Sequence, residues 1–180
     1  KALATIDVLS GGRLIVGAAV GWLAEEFEAL GIPFKERGAR SNEALKIMKL
    51  LWTEAEPQFE GRFFKFAGIT AEPKPLQKPH PPIWIGGSSA AALNRAAEFA
   101  ETWHPTHRPI EEIAAGAAQF KALAKARGRD PNTLQVVARA PLRVITNGDV
   151  PEPRPLLVGT PEQIVQDISK YKEAGVAGFM

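Results

Sequence analysis

The sequence has no cysteine among its 180 residues. Disulfide bonds, thiolate catalysis and cysteine-ligated zinc are therefore excluded for this chain. No apolar run approaches the ~18 residues of a membrane-spanning helix, and the residues present show no signal-peptide pattern. The net charge is only +2 and no basic block stands out, so neither nucleic acid nor a membrane is expected as a partner. The composition predicts a globular, cytoplasmic protein.

Histidine is also scarce, with three residues. His104 and His107 lie three apart, but Pro105 breaks a helical spacing and no carboxylate stands at a matching offset, so no metal site is predicted. His104 follows Trp103 at a predicted strand end, where an imidazole can act as a pocket acid or base. We take His104 as the candidate catalytic residue; a loop histidine without a role fits the same pattern.

What the sequence does contain is an alternation of short apolar runs with longer helical patterns. Five runs are predicted to be strands: 13–20, 82–87, 102–105, 134–145 and 176–180. Because they are apolar throughout, both faces of the sheet should be covered, as in a parallel sheet with helices outside it. An eight-fold α/β barrel and an open doubly wound sheet both satisfy this rhythm. No linker or repeat interrupts it, which predicts a single domain over residues 1–180.

The two ends resemble interrupted elements. The chain opens with KALATIDVL, typical of the last turns of a helix, and finishes with GVAGFM, typical of a strand just begun. We expect a piece of a longer protein that is incomplete at both ends. Exposed core and open sheet edges would make the isolated piece marginally stable or prone to aggregate.

Local motifs fix several other elements. Leu45, Met48, Leu51 and Trp52 form one apolar stripe, which predicts a helix over 40–52. The stretch PQFEGRFFKF predicts a hairpin or a pair of extended strands. GTPEQ combines Thr160, Pro161 and Gln163 into a capping box with proline at the first helical position.

The stretch PHPPIWIGGSS stops a buried strand abruptly in two glycines and two serines. In parallel α/β folds ligands bind at the carboxyl ends of strands. Gly86 and Gly87 would let backbone amides approach a ligand, Ser88 and Ser89 add hydroxyl donors, and the next helix turns its positive end to the same place. These features predict an anion site, most naturally for a phosphate. A tight turn with a serine cap explains the same residues without a ligand.

Other side chains at predicted strand ends could line a pocket. Trp22 and Trp103 both follow strands, where a flat ring can wall a planar cofactor. Arg139 lies within an apolar strand, so it should face a buried carboxylate or an anionic ligand.

The ordered motifs resemble the bacterial luciferase-like superfamily. The stretches that carry the resemblance are ATIDVLSGGRLIVGAAVGWLAEEFEALG, RSNEALKIMKLLW, FEGRFFKF, PKPLQKPHPPIWIGGSS, NRAAEFAETWHP and GTPEQIVQDISKYKEAGV. They follow one another from Ala4 to the end of the chain. More narrowly, the sequence is similar to the branch of oxidoreductases that use the deazaflavin coenzyme F420.

This resemblance implies a (β/α)8 barrel, of which the chain would cover about strands 4 to 8. It also implies that Gly86, Gly87, Ser88 and Ser89 bind the cofactor phosphate. Gly21 and Trp22 would line the cofactor cavity, with Trp103 at the next strand end. The implied reaction is hydride transfer between coenzyme F420 and a small organic substrate, in an enzyme that is commonly a homodimer.

One departure bears on the cofactor. Family members that use flavin mononucleotide (FMN) often carry an Arg-Tyr pair whose phenol helps hold the flavin phosphate, and the matching pair here is Arg37-Gly38. The missing phenol favours coenzyme F420 over FMN. The alternatives are an FMN-dependent monooxygenase acting with reduced flavin and oxygen, a non-catalytic flavin-binding barrel, and an unrelated barrel that binds a phosphorylated metabolite.

Overall fold

The computed structural model describes residues 1–106 and 108–180. They form two compact units, Lys1–Trp84 and Ile85–Met180. The prediction of a single domain over residues 1–180 stays a prediction. Within the described residues, no helix is both long and apolar enough to span a membrane.

The first unit contains three helices and three short strands. They are α1 (Ala2–Leu9), β1 (Val16–Ala18), α2 (Ala24–Ala29), α3 (Arg37–Thr53), β2 (Phe59–Glu60) and β3 (Lys65–Phe66). Strand β4 (Ile83–Gly86) begins in this unit and runs through the boundary. β1 lies beside β4, and the amide of Val16 donates to the carbonyl oxygen of Pro82 at 2.8 Å.

The second unit continues from β4 with alternating helices and strands. They are α4 (Ala90–Phe99), β5 (Thr102–His104), α5 (Ile110–Lys125), β6 (Gln135–Ala138), β7 (Arg143–Val144), β8 (Val158–Gly159), α6 (Pro161–Glu173) and β9 (Gly178–Phe179). The strand order here is β4-β5-β6-β9. β5 pairs with β6 in parallel, with Trp103 opposite Val136, and β6 pairs with β9 in parallel. The predicted parallel α/β architecture is confirmed.

All five predicted strands exist, but the fourth is split. The predicted run 134–145 keeps only β6 in the main sheet, and β7 pairs instead with β8. Pro141 has no amide hydrogen, so it cannot continue a ladder on both sides. β8 lies immediately before the predicted capping box of α6, where the sequence predicted no strand.

The core of the second unit lies between its strands and helix α5. Ile113, Ala117, Phe120 and Ala124 are buried on one side of α5, a spacing that places them on one helical stripe. Phe120 and Val136 are completely buried. Helix α5 packs on α4 and meets β5 where Gly116 lies against the Trp103 ring.

A buried carboxylate in the first unit ties α1 to the proline-rich segment before β4. The side chain of Asp7 accepts hydrogen bonds from the Gln77 amide at 3.0 Å and from Gln77 Nε2 at 2.7 Å. Burial alone would raise the pKa of Asp7, but these hydrogen bonds outweigh it and the pKa is lowered. Gln77 Nε2 also donates to the Leu14 carbonyl oxygen at 2.8 Å, so one glutamine fixes the approach of the chain to the sheet.

A second carboxylate organises the predicted hairpin, which is confirmed with Phe59 opposite Phe66. The amides of Arg62, Phe63 and Phe64 donate to Glu43 at 2.8, 3.0 and 3.3 Å. Gly61 permits this approach, because a Cβ there would lie 2.6 Å from Glu43 Oε2. The turn between β2 and β3 therefore wraps around a negative charge supplied by α3.

A third carboxylate lies in the second unit on α6. Asp167 is fully buried and accepts two hydrogen bonds from the Arg154 guanidinium, at 2.6 and 2.8 Å, and one from the Leu157 amide at 2.9 Å. The Arg154 hydrogen bond lowers the pKa of Asp167 strongly, against burial that would raise it. The predicted capping box that opens α6 is also confirmed, since the Thr160 amide donates to Gln163 Oε1 at 2.9 Å and Thr160 Oγ1 accepts from the Gln163 amide at 3.4 Å.

Candidate functional site

The turn between β4 and α4 has a backbone that only glycine adopts easily. Gly87 has φ = +101°, outside the region that side-chain-bearing residues favour. A Cβ at Gly87 would also lie 3.2 Å from the Ala92 Cβ, which is tighter than ordinary packing. The sequence therefore places glycine here for two physical reasons, conformation and close approach to the helix.

Helix α4 begins at this turn with a serine cap. Ser89 Oγ accepts a hydrogen bond from the Ala92 amide at 3.2 Å, which satisfies one of the unpaired amides of the first helical turn. Gly86, Gly87 and Ser88 are half-buried and Ser89 is exposed. Backbone amides, a hydroxyl and the positive end of the helix thus meet at an accessible place, an arrangement that stabilises an anion.

Trp103 supports this turn from the neighbouring strand β5. Its side chain is only 1% exposed, and its indole Nε1 donates a hydrogen bond to the Gly87 carbonyl oxygen at 2.7 Å. The indole lies against α5, because a Cβ at Gly116 would be 2.2 Å from Trp103 Cη2. The sequence predicted that this ring walls a cofactor, and that role stays a prediction; the geometry shows the ring holding the turn.

His104 is the next residue of β5, so its side chain leaves the opposite face of the strand from Trp103. Its Nδ1 lies 2.6 Å from the carbonyl oxygen of Val137. A carbonyl oxygen only accepts, so Nδ1 donates the proton of this hydrogen bond. The half-buried ring is thus oriented by the Val137 carbonyl, and the catalytic role of His104 stays a prediction.

The second unit therefore brings together most of the predicted site residues. Gly86 ends β4, and Gly87, Ser88 and Ser89 form the turn after it; Trp103 and His104 lie on the adjacent strand β5. Gly21 and Trp22 belong to the first unit. There Gly21 has φ = +81° and its Cα lies close to the Phe27 ring, while the Trp22 side chain is 82% exposed. An exposed indole is available to a ligand, and its cofactor role stays a prediction.

Two other residues from the sequence analysis do not join the site. Arg139 was expected to face a buried carboxylate or an anion, but β6 ends at Ala138 and Arg139 is exposed. Because the side chain is exposed, the expected buried carboxylate is wrong, and the alternative, an anionic ligand, stays a prediction. His107 lies outside the described residues.

Sequence reasoning missed Gly116. This glycine lies in the middle of α5, flanked by alanines, where it costs helix stability relative to alanine. Such a glycine in a strong helix-forming sequence is a signal of close packing, and the structure shows that the Trp103 ring occupies the space. The partner itself could not be read from the sequence.

Comparison with known proteins supports the assignment of the fold and the class. The family model described as luciferase-like monooxygenase matches residues 1–149, and the chain belongs to this family. Among curated proteins it is 40% identical over 131 residues to the FMNH2-dependent dimethylsulfone monooxygenase of Pseudomonas putida, covering 71% of this chain and 36% of that protein. The chain thus spans about a third of the length of the curated relatives it matches.

Solved structures share the fold at low sequence identity. Monooxygenase RslO1 from Streptomyces bottropensis superposes with a TM-score of 0.84 at 23% identity, covering 98% of this chain and 63% of that one. The coenzyme F420-dependent tetrahydromethanopterin reductase of Methanopyrus kandleri gives a TM-score of 0.81 at 17% identity, covering 98% and 70%. These likenesses confirm the predicted luciferase-like barrel fold, of which this chain is a part.

Proposed function

We propose that the protein is a flavin-dependent monooxygenase that binds the phosphate of FMN at Gly86–Ser89. The observation that carries this proposal is the accessible turn with Gly87 at φ = +101° leading into the Ser89-capped helix α4. The turn offers three features that bind a phosphate: backbone amides, a hydroxyl and the positive end of a helix.

The choice of FMN rests on sequence likeness. Two FMNH2-dependent dimethylsulfone monooxygenases, from Pseudomonas putida and Pseudomonas fluorescens, are 40% and 36% identical to this chain over 131 and 129 residues. The structures of F420-dependent enzymes are less than 20% identical, so they support the fold alone. Because of the two dimethylsulfone monooxygenases we rank FMN ahead of coenzyme F420. The sequence motifs alone favoured the opposite order.

A deazaflavin oxidoreductase that uses coenzyme F420 is the second candidate. Gly38 favours it, because this position, in the first turn of α3, offers no phenol for an FMN phosphate. Each cofactor carries a phosphate on its tail, and we propose the turn at Gly86–Ser89 as the site of that phosphate in either case. The two candidates therefore share a binding site and differ in the ring that it anchors.

Reduced flavin, when bound, supplies the electron pair for the reaction of oxygen with an organic substrate. The chain's own residues bind the cofactor and orient it. The turn holds the anionic tail, and we assign the His104 imidazole, which the Val137 carbonyl orients, as the group that accepts or returns a proton. Trp22 is proposed to contact the cofactor ring, and the enzyme is proposed to be a cytoplasmic homodimer.

The test uses the full-length protein that contains this chain. Titration with FMN and with coenzyme F420, followed by flavin and deazaflavin fluorescence, identifies the cofactor. Oxygen-dependent conversion of dimethyl sulfone with reduced FMN is the first activity to assay. Binding of neither cofactor would refute the proposal, and binding of F420 alone would select the second candidate.

A further inference from the structure

We infer that Trp103 is a positioning residue for the phosphate site, because its buried indole N–H fixes the Gly87–Ser88 peptide so that the Ser88 amide is presented to the anion. The inference rests on the function proposed above. It assigns to Trp103 an action through the backbone of the turn, without contact with the ligand.

The first step is the geometry of one peptide group. Trp103 Nε1 donates to the Gly87 carbonyl oxygen at 2.7 Å, and the peptide that follows Gly87 is trans. In a planar trans peptide the carbonyl oxygen and the amide hydrogen point in opposite directions. Holding the oxygen towards the indole therefore turns the Ser88 N–H away from the indole.

The second step is the freedom that this hydrogen bond removes. Gly87 has no Cβ and sits at a positive φ, so its own conformational preferences constrain the peptide weakly. A rotation of the Gly87–Ser88 peptide would re-aim the amide by a large angle. A donor that is fixed before binding gives a stronger site, because the anion does not have to order it.

The third step is that the indole itself cannot move. Its side chain is 1% exposed, and a Cβ at Gly116 would lie 2.2 and 2.8 Å from its Cη2 and Cζ3 atoms. Glycine in the middle of α5 costs about 1 kcal/mol relative to alanine. The close seat of the ring on α5 explains why the chain carries glycine there among alanines.

The test compares ligands with and without a phosphate on the full-length protein. FMN and riboflavin share the flavin ring, and coenzyme F420 is matched in the same way by its phosphate-free deazaflavin chromophore. Trp103→Phe removes the indole N–H and keeps an aromatic ring. We expect it to weaken binding of the phosphorylated ligand about tenfold, the loss of one hydrogen bond to the site, and to change binding of the phosphate-free ligand by less than about twofold.

Two further variants separate positioning from packing. Phe120→Leu reduces a fully buried ring of α5 without touching the turn, and should lower the melting temperature while keeping the wild-type ratio of the two affinities. Gly116→Ala displaces the indole and should reproduce the phosphate-specific loss. Phe120→Leu is therefore the control, because it loses packing as Trp103→Phe does but keeps the indole N–H of Trp103.

The outcomes separate the two claims. If the wild type prefers the phosphorylated ligand, and Trp103→Phe and Gly116→Ala keep that preference, the positioning role is wrong and the phosphate site stands. If both ligands lose affinity equally in Trp103→Phe, the residue acts by packing alone. If the wild type binds FMN no better than riboflavin, and F420 no better than its phosphate-free chromophore, the phosphate site itself fails.

Discussion

Two turns of this protein gather backbone amides, and they differ in where the negative charge comes from. In the β2–β3 hairpin of the first unit, three successive amides, from Arg62 to Phe64, converge on the Glu43 carboxylate. At the β4–α4 turn of the second unit, the serine hydroxyl of Ser89 takes the Ala92 amide. Within residues 1–106 and 108–180, no carboxylate is hydrogen-bonded to Gly86–Ser89.

The β2–β3 turn, which the Glu43 carboxylate occupies, shows how converging amides change the pKa of a negative group. Burial would raise the pKa of Glu43, but the amides of Phe63, Arg62 and Phe64 outweigh it and the pKa is lowered. Converging amides therefore favour the charged form of an oxyanion. The β4–α4 turn offers donors of the same kind without a carboxylate from the chain, which is the physical basis for expecting a phosphate there.

The largest expected effect comes from filling the open turn with a side chain. Gly87→Ala adds a Cβ 3.2 Å from the Ala92 Cβ at a φ of +101°, so the turn must change shape. We expect FMN affinity to fall about 100-fold, roughly 2.7 kcal/mol, because charge-assisted hydrogen bonds to the phosphate are misaligned. Isothermal titration of the full-length protein with FMN measures this.

Gly61→Ala is the matched variant for the occupied turn. Its Cβ would lie 2.5 Å from the Phe59 ring and 2.6 Å from Glu43 Oε2, so it should lower thermal stability. FMN affinity should stay within about twofold of the wild type. Equal losses of FMN affinity in Gly87→Ala and Gly61→Ala would contradict the view that the β4–α4 turn binds a ligand while the β2–β3 turn binds the Glu43 carboxylate.

The next effect concerns the carboxylate that pairs with an arginine. Asp167→Asn weakens the hydrogen bonds that Asp167 accepts from Arg154 and Leu157. We expect a loss of roughly 2 kcal/mol in the free energy of unfolding, at the low end for buried pairs because Arg154 reaches solvent. Chemical denaturation at pH 7 measures it, with Lys170→Met as a control, since that exposed contact at 3.2 Å should matter little.

The sign of the pH dependence follows from the lowered pKa of Asp167. A carboxylate with a lower pKa in the folded than in the unfolded state stabilises the fold above the unfolded value of about 3.9. The gap between wild type and Asp167→Asn should therefore be full above about pH 4 and shrink as the pH falls further. A gap that is the same at pH 3 and pH 7 would show that the ion pair is not its origin.

Sequence patterns predicted the parts of the fold that depend on local chemistry. The capping box at Thr160 and the hairpin around Gly61 form as predicted, because each is specified by residues a few positions apart. Gly86 and Gly87 were recognised as a strand-ending turn for the same reason. Helix α3 begins at Arg37 rather than at Arg40, where the apolar stripe gave no signal.

The contacts that shape the candidate site join distant residues, and the sequence did not predict them. Trp103 binds the Gly87 carbonyl across 16 positions and His104 binds Val137 across 33. Apolar patterning places Trp103 in a strand, but it does not say which face the ring takes. The strand's alternation settles this only once α5 is seen on one side, so the hydrogen bond between the ring and the turn could not be read from the sequence. The role of the ring as a cofactor wall stays a prediction.

A smaller effect is expected at the occupied turn when its charge is removed. Glu43→Gln keeps the shape of the side chain, but a neutral amide accepts more weakly from Arg62, Phe63 and Phe64. Hydrogen exchange at these three amides should accelerate about tenfold, while exchange in α5 stays unchanged. Because the pKa of Glu43 is lowered, the wild type should approach the variant as the pH falls below about 4.3.

The smallest effect separates the two serines of the open turn. Ser89→Ala removes the hydroxyl that caps α4 and should lower the free energy of unfolding by about 1 kcal/mol. Ser88→Ala leaves that cap in place and should change stability by less than about 0.5 kcal/mol, while weakening FMN binding severalfold if its hydroxyl contacts the phosphate. Denaturation and FMN titration of both variants would divide the turn into a serine that builds the helix and a serine that binds. Loss of FMN affinity in Ser89→Ala alone would instead mean that the helix end, and not the Ser88 hydroxyl, carries the anion site.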